Sequence, residues 1–322
     1  MNTVIKRLAY AAGLILAVLV LNFLLIQLAP GDPAEVIAGE MGGASQEVLD
    51  NIRAQYGLDK PLLTQLGLYL AKAVQGDLGV SYYYNRPVTE LILSRLGPTL
   101  LLVMTALTFA MFVGTRLGIT AARNPRGGAS ALVTVLSLVG YAAPVFWTGL
   151  MLVILFAARW PLFPVSGMID ITKSGDPITR TLDIAHHLVL PALTLGIVYL
   201  AQYSRLTRAS MLEVLGADYI RTARAKGVRE RRVLNHHAFR NALLPVVTVA
   251  GMQFGAVLSG AVLVETVFSW PGLGTLAFEA ILARDYPTIL GVLFFSTIIV
   301  ILANLLTDFI SRQLDPRLKS RH

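Results

Sequence analysis

The sequence predicts an all-α polytopic membrane protein with six transmembrane helices. Hydrophobic residues make up 55% of the 322 residues, charged residues make up only 14%, and six long apolar stretches contain no charge. Soluble domains carry about 25% charged residues, so this chain has too little polar surface to cover a soluble fold. Because lipid offers no partner to backbone N–H and C=O groups, we expect the stretches to be helices.

The spans follow from comparing each charge-free stretch with the ~20 helical residues that cross a bilayer. They are Leu8–Ala29, Leu96–Thr115, a span near Leu132–Ala157, Leu188–Ser204 extended by Ala185–His187, Asn241–Val264 and Tyr286–Thr307. The third contains Pro144. The first follows two basic residues, as a signal peptide would, but it is longer than a signal h-region and lacks a good cleavage site. We therefore expect it to be retained.

Positive charge predicts the orientation. With both termini in the cytoplasm, 18 of the 27 Lys and Arg residues lie on the cytoplasmic side, as the positive-inside rule requires. The net charge of +8 is therefore mainly a topology signal, which predicts contact with anionic membrane lipid and no nucleic-acid partner. The predicted divisions are an N-terminal transmembrane helix (1–29), an extracytoplasmic segment with short helices (30–97), a five-helix core (98–311) with a cytoplasmic loop (205–245), and a cytoplasmic tail (312–322).

The extracytoplasmic segment carries helix start and stop signals. A short helix is predicted over Gln46–Tyr56, with Ser45 as a possible N-cap and Gly57 just after its end. Pro61 suits the first position of a second helix that ends near Gly76.

The cytoplasmic loop contains a predicted helix over Glu213–Lys226, with Gly227 as its stop. Small residues alternate with basic ones near its end, which suits docking into a groove of another protein. A solvated basic loop on anionic lipid is the alternative, and composition alone favours it.

The chain offers no catalytic group. It has no Gly-rich phosphate-binding motif, no His-Glu-x-x-His and no cysteine. Its adjacent histidine pairs point in different directions on a helix, so we expect no metal site and no cofactor in this chain. Charge inside the predicted spans is sparse, which argues against an ion-coupled carrier.

Two stripes of small residues predict close helix packing. Gly114 and Gly118 lie in the second span, and Gly251, Gly255 and Ser259 lie in the fifth. Either stripe could serve packing within the chain or line a subunit interface or a pathway.

A turn follows the fifth span, at Phe268–Gly274. It contains the helix breakers Pro271, Gly272 and Gly274 beside Trp270, and it follows Glu265. We expect it to fold back at the outer surface; an ordinary interfacial turn with a Trp anchor is the alternative.

Five motifs, in order, resemble the permeases of ABC importers in the dipeptide, oligopeptide and nickel branch. They are Leu28–Pro33, Tyr56–Pro61, Gly76–Ser81, the pair Asp218–Gly227 and His237–Pro245, and Glu265–Gly274. The pair resembles the coupling loop of that family, and the long first outer segment resembles one of its two permease subunits. One departure is that the general signature begins Glu-Ala-Ala, whereas Arg221, Thr222 and Ala223 stand here. The role of that glutamate is therefore not carried over.

The resemblance implies a type I importer permease of the bacterial inner membrane, non-catalytic, forming half of a pathway for peptides. A second homologous permease, two ATP-binding subunits that hold ATP and Mg, and an extracytoplasmic substrate-binding protein are the implied partners. Nickel or glutathione are alternative substrates, and a stand-alone secondary carrier is a weaker alternative. The implied ATPase-coupling residues are Asp218, Tyr219, Arg221, Thr222, Ala223, Arg224, Ala225, Lys226, Gly227, His237, Arg240, Asn241 and Pro245. The outer gate or binding-protein contact would be Glu265, Phe268, Trp270, Pro271, Gly272 and Gly274.

Overall fold

A computed structural model describes residues 2–28, 45–47, 49, 50, 53, 59–170, 172 and 176–314. The predicted helix Gln46–Tyr56, the motif that follows Leu28 and most of the C-terminal tail lie largely outside these residues. The chain divides into two compact units, one of residues 1–97 with 276–301 and the other of residues 98–275 with 302–322.

The described residues are mainly helical. The helices are α1 (Asn2–Leu28), α2 (Leu62–Val74), α3 (Val88–Arg123), α4 (Gly128–Ala142), α5 (Val145–Val153), α6 (Pro177–Leu215), α7 (Asp218–Ala225), α8 (Glu230–Arg232), α9 (Phe239–Met252), α10 (Phe254–Val267), α11 (Leu273–Leu282) and α12 (Tyr286–Leu314). Two π-helical turns, Ile154–Arg159 and Val233–Ala238, extend α5 and join α8 to α9.

The all-helical membrane fold is confirmed. Within the described residues, three helices are long and apolar enough to span a membrane, or up to five when each bent pair counts as one span. The three are the second, fourth and sixth predicted spans, and the two bent pairs are the third and fifth. The first predicted span falls on α1, whose described apolar stretch is Ala9–Leu25.

The third predicted span is a bent pair of helices. It consists of α4 and α5, which are bent by 104° around Ala143 and Pro144. Proline has no N–H to continue the helical ladder, and it pushes the preceding residue out of the α region. Ala143 accordingly adopts an extended conformation, with φ −74° and ψ 130°.

The fifth span is also divided, because α9 and α10 meet at Gln253 with a bend of 59°. The fourth span is longer than predicted, since α6 has 39 residues. Its start is fixed by Pro177 in the first turn and by Asp176, whose carboxylate accepts a bond from the Thr179 backbone N–H at 3.3 Å.

In the first unit, α1, α2 and α12 share a small apolar core around Leu19, Ala73 and Phe294. The buried Asn22 donates through Nδ2 to the Leu290 carbonyl at 3.1 Å, which ties α1 to α12. The second predicted helix is confirmed as α2, but it begins one residue later than predicted, since Pro61 is its N-cap. It ends just before Gly76, whose φ is +79°.

The loop before α3 is anchored to the start of α12. Asp285 is buried and accepts bonds from Ser81 Oγ at 2.5 Å, Thr288 Oγ1 at 2.6 Å and the Tyr82 backbone N–H at 3.2 Å. Two residues later, the Tyr84 hydroxyl donates a hydrogen bond to the Glu279 carboxylate. Burial and the Glu279 carboxylate both raise the pKa of Tyr84.

In the second unit, α6 is the central helix and packs against α4, α5, α9 and α10. Against α3 the approach is close. A Cβ at Gly114 would lie 2.8 Å from the Leu200 carbonyl oxygen, and one at Gly118 would lie 2.6 Å from that of Ser204. The first small-residue stripe therefore serves packing within the chain. In the second stripe, Gly251, Gly255 and Ser259, the side chain of Ser259 is exposed. The role of this stripe stays a prediction.

We predict opposite effects for two Gly→Ala substitutions. Gly118→Ala places a methyl group where the α6 backbone already lies, and overpacking of this kind costs about 1–3 kcal/mol. Gly67→Ala on α2 meets no described atom within 4 Å and gains about 1 kcal/mol of helix propensity. Thermal unfolding of the purified chain should show a lower midpoint for the first and an equal or higher one for the second. Equal midpoints in both variants would contradict the close approach of α3 and α6.

Candidate functional site

The segment that links α6 to α9 forms a compact helical loop. The prediction of one helix over Glu213–Lys226 is wrong, because α6 ends at Leu215 and α7 begins at Asp218. Between them Gly216 caps α6, and Ala217 is extended, with ψ 149°. Glycine contributes poorly to a helix interior, so the chain turns there and α7 is a separate element.

The predicted stop at Gly227 is confirmed in detail. Gly227 has φ +75° and donates its N–H to the Arg224 carbonyl at 2.9 Å, while Val228 donates to the Ala223 carbonyl at 3.2 Å. These two bonds, with the left-handed glycine, form a Schellman motif. Ala223 and Val228 also pack in one apolar cluster, which is the contact expected with that motif.

One face of α7 is buried against the ends of longer helices. Ile220 is fully buried, and it belongs to a cluster that we call the loop core. The buried members of the loop core are Ile119 and Ala122 of α3, Met211 of α6, Ile220 of α7, Val233 and Ala238 of the π-turn, and Ala242 of α9. The loop core therefore joins α7 to the ends of α3, α6 and α9.

The opposite face of α7 is exposed. Tyr219 is 44% exposed, and its hydroxyl accepts a bond from Asn241 Nδ2 at 2.8 Å, which is a second link from α7 to α9. The other exposed members are Asp218, Arg221, Thr222, Arg224, Ala225 and Lys226. Apart from the Tyr219–Asn241 bond and local hydrogen bonds and ion pairs, this face has no hydrogen-bond or ionic partner among the described residues.

Arg224 and Glu230 form a two-pronged ion pair across the Gly227 turn. Arg224 donates through Nε to Oε2 at 3.1 Å and through Nη2 to Oε1 at 2.7 Å. The hydrogen bonds to Glu230 raise the pKa of Arg224, and the same bonds lower the pKa of the Glu230 carboxyl. Both groups are largely exposed, and exposed pairs contribute only about 0–1 kcal/mol, so the pair orients the turn more than it stabilises it.

Three other predicted coupling residues lie outside α7, in the π-turn and in α9. His237 is half-buried in the π-turn and stacks edge-on against His236, with ring centroids 5.3 Å apart. Arg240 is exposed in the first turn of α9, and Pro245 lies inside that helix. The structure thus brings Tyr219 and Asn241 together, whereas Arg240 and Pro245 form no hydrogen bond or ion pair with the described residues of α7.

The second candidate segment surrounds Glu265, which is fully buried at the end of α10. Its Oε1 accepts from Thr99 Oγ1 at 2.7 Å. Its Oε2 accepts from the backbone N–H groups of Gly274 at 2.7 Å and Thr275 at 3.2 Å. A side chain at Gly272 would overlap this carboxylate, so glycine is required there.

The turn that follows Glu265 is itself buried. Trp270 is fully buried and donates through Nε1 to the Pro98 carbonyl at 2.9 Å. Phe268 is also buried, and its carbonyl accepts from the Gly167 N–H at 2.8 Å. The turn folds back as expected, whereas its contact with a binding protein stays a prediction. Sequence reasoning missed Thr99, which accepts from the Leu273 N–H at 2.7 Å and so closes the network.

Family comparisons give this geometry a context. The model of the binding-protein-dependent transport system inner membrane component matches residues 114–320, and the N-terminal model of the same kind of membrane component matches residues 1–104. This chain belongs to that family. It is therefore a multi-pass permease component of the inner membrane.

Named relatives cover nearly the whole chain. The dipeptide transport system permease protein DppB of Escherichia coli (strain K12) is 40% identical, over 99% of this chain and 98% of its own. A putative peptide permease of Brucella ovis is 42% identical over 98% of both chains.

Solved structures show the same fold. The MetNI methionine ABC transporter in an inward-facing conformation matches with a TM-score of 0.55 and 16% identity, over 70% of this chain and 96% of that one. An amino acid ABC transporter matches with a TM-score of 0.51 and 14% identity, over 70% and 94% of the two chains.

We predict that Gly227→Ala loosens α7 by strain alone. A Cβ at Gly227 meets no described atom within 4 Å, but a left-handed φ costs an L-residue about 1–2 kcal/mol. Amide hydrogen exchange over α7 should be faster in this variant. Gly216→Ala, at φ −81°, should leave exchange unchanged, and Gly227→Asn should restore much of the protection. Slow exchange in Gly227→Ala would contradict the role of the cap.

We also predict that two threonines of α3 respond differently to valine. Thr99 makes two buried hydrogen bonds, and their loss leaves the Glu265 carboxylate and the Leu273 N–H poorly satisfied, at a cost of about 1–3 kcal/mol. Thr115 is buried, and its hydroxyl has no hydrogen-bond partner among the described residues. Thr99→Val should lower the unfolding midpoint, while Thr115→Val should leave it equal or higher. The reverse order would refute the Glu265 network.

Proposed function

We propose that this chain is the permease subunit of an ATP-driven importer that takes up peptides. Its membership of the family of binding-protein-dependent transport components supports an importer. The names of relatives that are 40–42% identical over nearly the whole chain support a peptide as substrate.

The observation that carries the coupling role is the two-sided character of α7. One side is buried in the loop core with the ends of α3, α6 and α9. The other is an exposed polar face, whose only hydrogen-bond or ionic partners among the described residues are Asn241, which bonds Tyr219, and local hydrogen bonds and ion pairs. A partner that binds the exposed face and moves would therefore shift three long helices together. Packed cores transmit such shifts because they are dense and deform little.

The proposed partners follow from this arrangement and from the family. Two ATP-binding subunits hold ATP and Mg, and one of them contacts α7. A second permease completes the pathway, and an extracytoplasmic binding protein delivers the substrate. ATP-dependent closure of the partners then biases the spans between two arrangements, as alternating access requires. This chain takes no chemical part in ATP hydrolysis.

The proposed orientation has both termini in the cytoplasm. It gives the cytoplasmic side 18 of the 27 Lys and Arg residues, and it puts α7 on the side where ATP is available. Arg221 stands where the general coupling signature has glutamate, so we expect acidic groups on the surface that receives α7.

In this orientation the C-terminal end of α10, which carries the Glu265 network, faces away from the cytoplasm. The network then lies at the outer mouth of the pathway. Four hydrogen bonds in this network involve the Glu265 carboxylate or Thr99, so the turn is held rigidly against α3. We propose that it is a fixed wall at that mouth, on which Gly272 and Gly274 permit the tight return of the chain.

We predict that Ala225→Trp abolishes coupled transport without unfolding the chain. Ala225 is exposed on α7, so an indole there blocks docking and leaves the loop core intact. In vesicles that contain both permeases, the ATP-binding subunits and the binding protein, uptake of a radiolabelled dipeptide should fall at least tenfold. Binding-protein-stimulated ATP hydrolysis should fall with it.

Thr120→Trp is the matched control, because it places the same side chain on the exposed last turn of α3. This control should keep both activities, and both variants should unfold at the wild-type temperature. Normal uptake by Ala225→Trp would refute docking at α7. Uptake by this chain without ATP-binding subunits, driven by an ion gradient, would favour a secondary carrier instead.

A further inference from the structure

A cavity at the start of α4 has the character of a binding site for a phosphate diester. Its volume is about 310 Å³, and its lining includes Arg126 and Arg208 together with Ser130 and Thr134. Pockets for small ligands begin near this volume, at roughly 300 Å³. None of its lining residues is acidic, so in the described part of the chain two guanidinium groups line one cavity with no carboxylate in the lining.

The two arginines have donors to spare. Arg208 donates through Nε to Ser130 Oγ at 3.2 Å, which fixes its side chain and leaves both terminal NH₂ groups without an acceptor among the described residues. Arg126 is exposed and has no hydrogen-bond or ionic partner in the described part of the chain. Guanidinium groups bind phosphate oxygens through paired hydrogen bonds, so this cavity matches a phosphate group in charge and in donors.

An apolar stripe leads away from the cavity along α4. Its members share one face of the helix and are 56–60% exposed: Leu132, Val135, Leu136 and Val139. Val135 also lines the cavity, so the charged site and the stripe are continuous. The opposite face of α4 packs on α6, where Gly140 lies close to Ile197. A ligand that has both a phosphate and long apolar chains fits this surface better than free phosphate does.

A second basic cavity provides a contrast. Arg229, Arg231 and Arg232 line it together with Asn235 and His236. No large hydrophobic residue is exposed between Tyr219 and Leu263 in the described chain, so the segment that lines this cavity carries no exposed apolar stripe of its own. Its lining segment therefore supplies the charge of a phosphate site without the helix-long apolar stripe that α4 presents.

We propose that the cavity at the start of α4 binds the headgroup of an anionic phospholipid, whose acyl chains lie along the exposed stripe of α4. Arg126 and Arg208 bind the phosphate diester, and Ser130 holds Arg208 in position. With the orientation proposed above, this lipid belongs to the cytoplasmic leaflet, where anionic lipids concentrate. The site is separate from α7.

The test is retention of lipid by the purified full-length chain. The chain is incubated in detergent with equal amounts of phosphatidylglycerol and phosphatidylcholine at high salt, where diffuse surface attraction is screened, and bound lipids are counted by native mass spectrometry. Wild type should retain one phosphatidylglycerol in preference to phosphatidylcholine. Arg126→Gln should reduce this preference about fivefold, because one basic residue near an anionic headgroup strengthens binding by about that factor. The double variant Arg126→Gln with Arg208→Gln should reduce the preference further.

Controls separate the site from general charge and from free phosphate. Arg231→Gln with Arg232→Gln removes the same charge from the other cavity and should leave the preference unchanged. Equal loss in both double variants, or no preference in wild type, overturns the proposal. Displacement of the lipid by inorganic phosphate alone would assign the cavity to soluble phosphate and also overturns it.

Arg126→Gln keeps the test valid if Arg208 is needed for folding, because Arg126 has no described partner to lose. The assay requires no transport, so its failure leaves the proposed importer function untouched, and failed uptake leaves the lipid site untouched.

Discussion

Burial of Ile220 in the loop core is the contact on which the arrangement of α7 depends. A helix of eight residues is too short to be stable alone in water, so α7 needs tertiary contacts to persist. Its own apolar content is small, and one large aliphatic side chain supplies the anchor. The Gly227 cap, the Arg224–Glu230 pair and the Tyr219–Asn241 bond then fix the direction in which the exposed face points.

The burial of Ile220 also couples movement of α7 to movement of longer helices. Since the loop core contains residues from the ends of α3, α6 and α9, α7 cannot shift without disturbing three helices that extend into the membrane region. On α3 and α6 this connection continues into a seam where Gly114 and Gly118 touch the α6 backbone. Hydroxyl groups of Thr115, Ser204 and Thr207 in the second unit are buried without a described partner. Close backbone contact suits helices that move as one body.

Sequence patterns predicted the elements that depend on local chemistry. Apolar length located the spans, and a glycine after a basic helix located the Gly227 cap, because both signals are encoded within a few residues. Pro144 was recognised within the third predicted span, but its position alone did not predict a bend of 104°. A proline within a membrane helix can produce a kink of any size. The break at Gly216 was missed because glycine is also tolerated within helices.

The Glu265 network illustrates the part that local patterns leave undetermined. Its partners Thr99 and Gly274 are 166 and 9 residues away along the chain, and only the folded chain brings all three together. The charge-sparse composition made Glu265 conspicuous, but nothing near it in sequence identified the acceptor role. Pro271, Gly272 and Gly274 did predict a tight return, and that return is what carries the backbone N–H groups to the carboxylate.

Docking of an ATP-binding subunit on the exposed face of α7 is tested most directly by chemical protection. The chain has no cysteine, so Thr222→Cys on α7 and Thr120→Cys on α3 each introduce a single thiol. Maleimide labelling of Thr222→Cys in inverted membrane vesicles should be slowed several-fold when the ATP-binding subunits are present, while labelling of Thr120→Cys stays unchanged. Equal labelling of Thr222→Cys with and without those subunits would contradict the coupling role of α7.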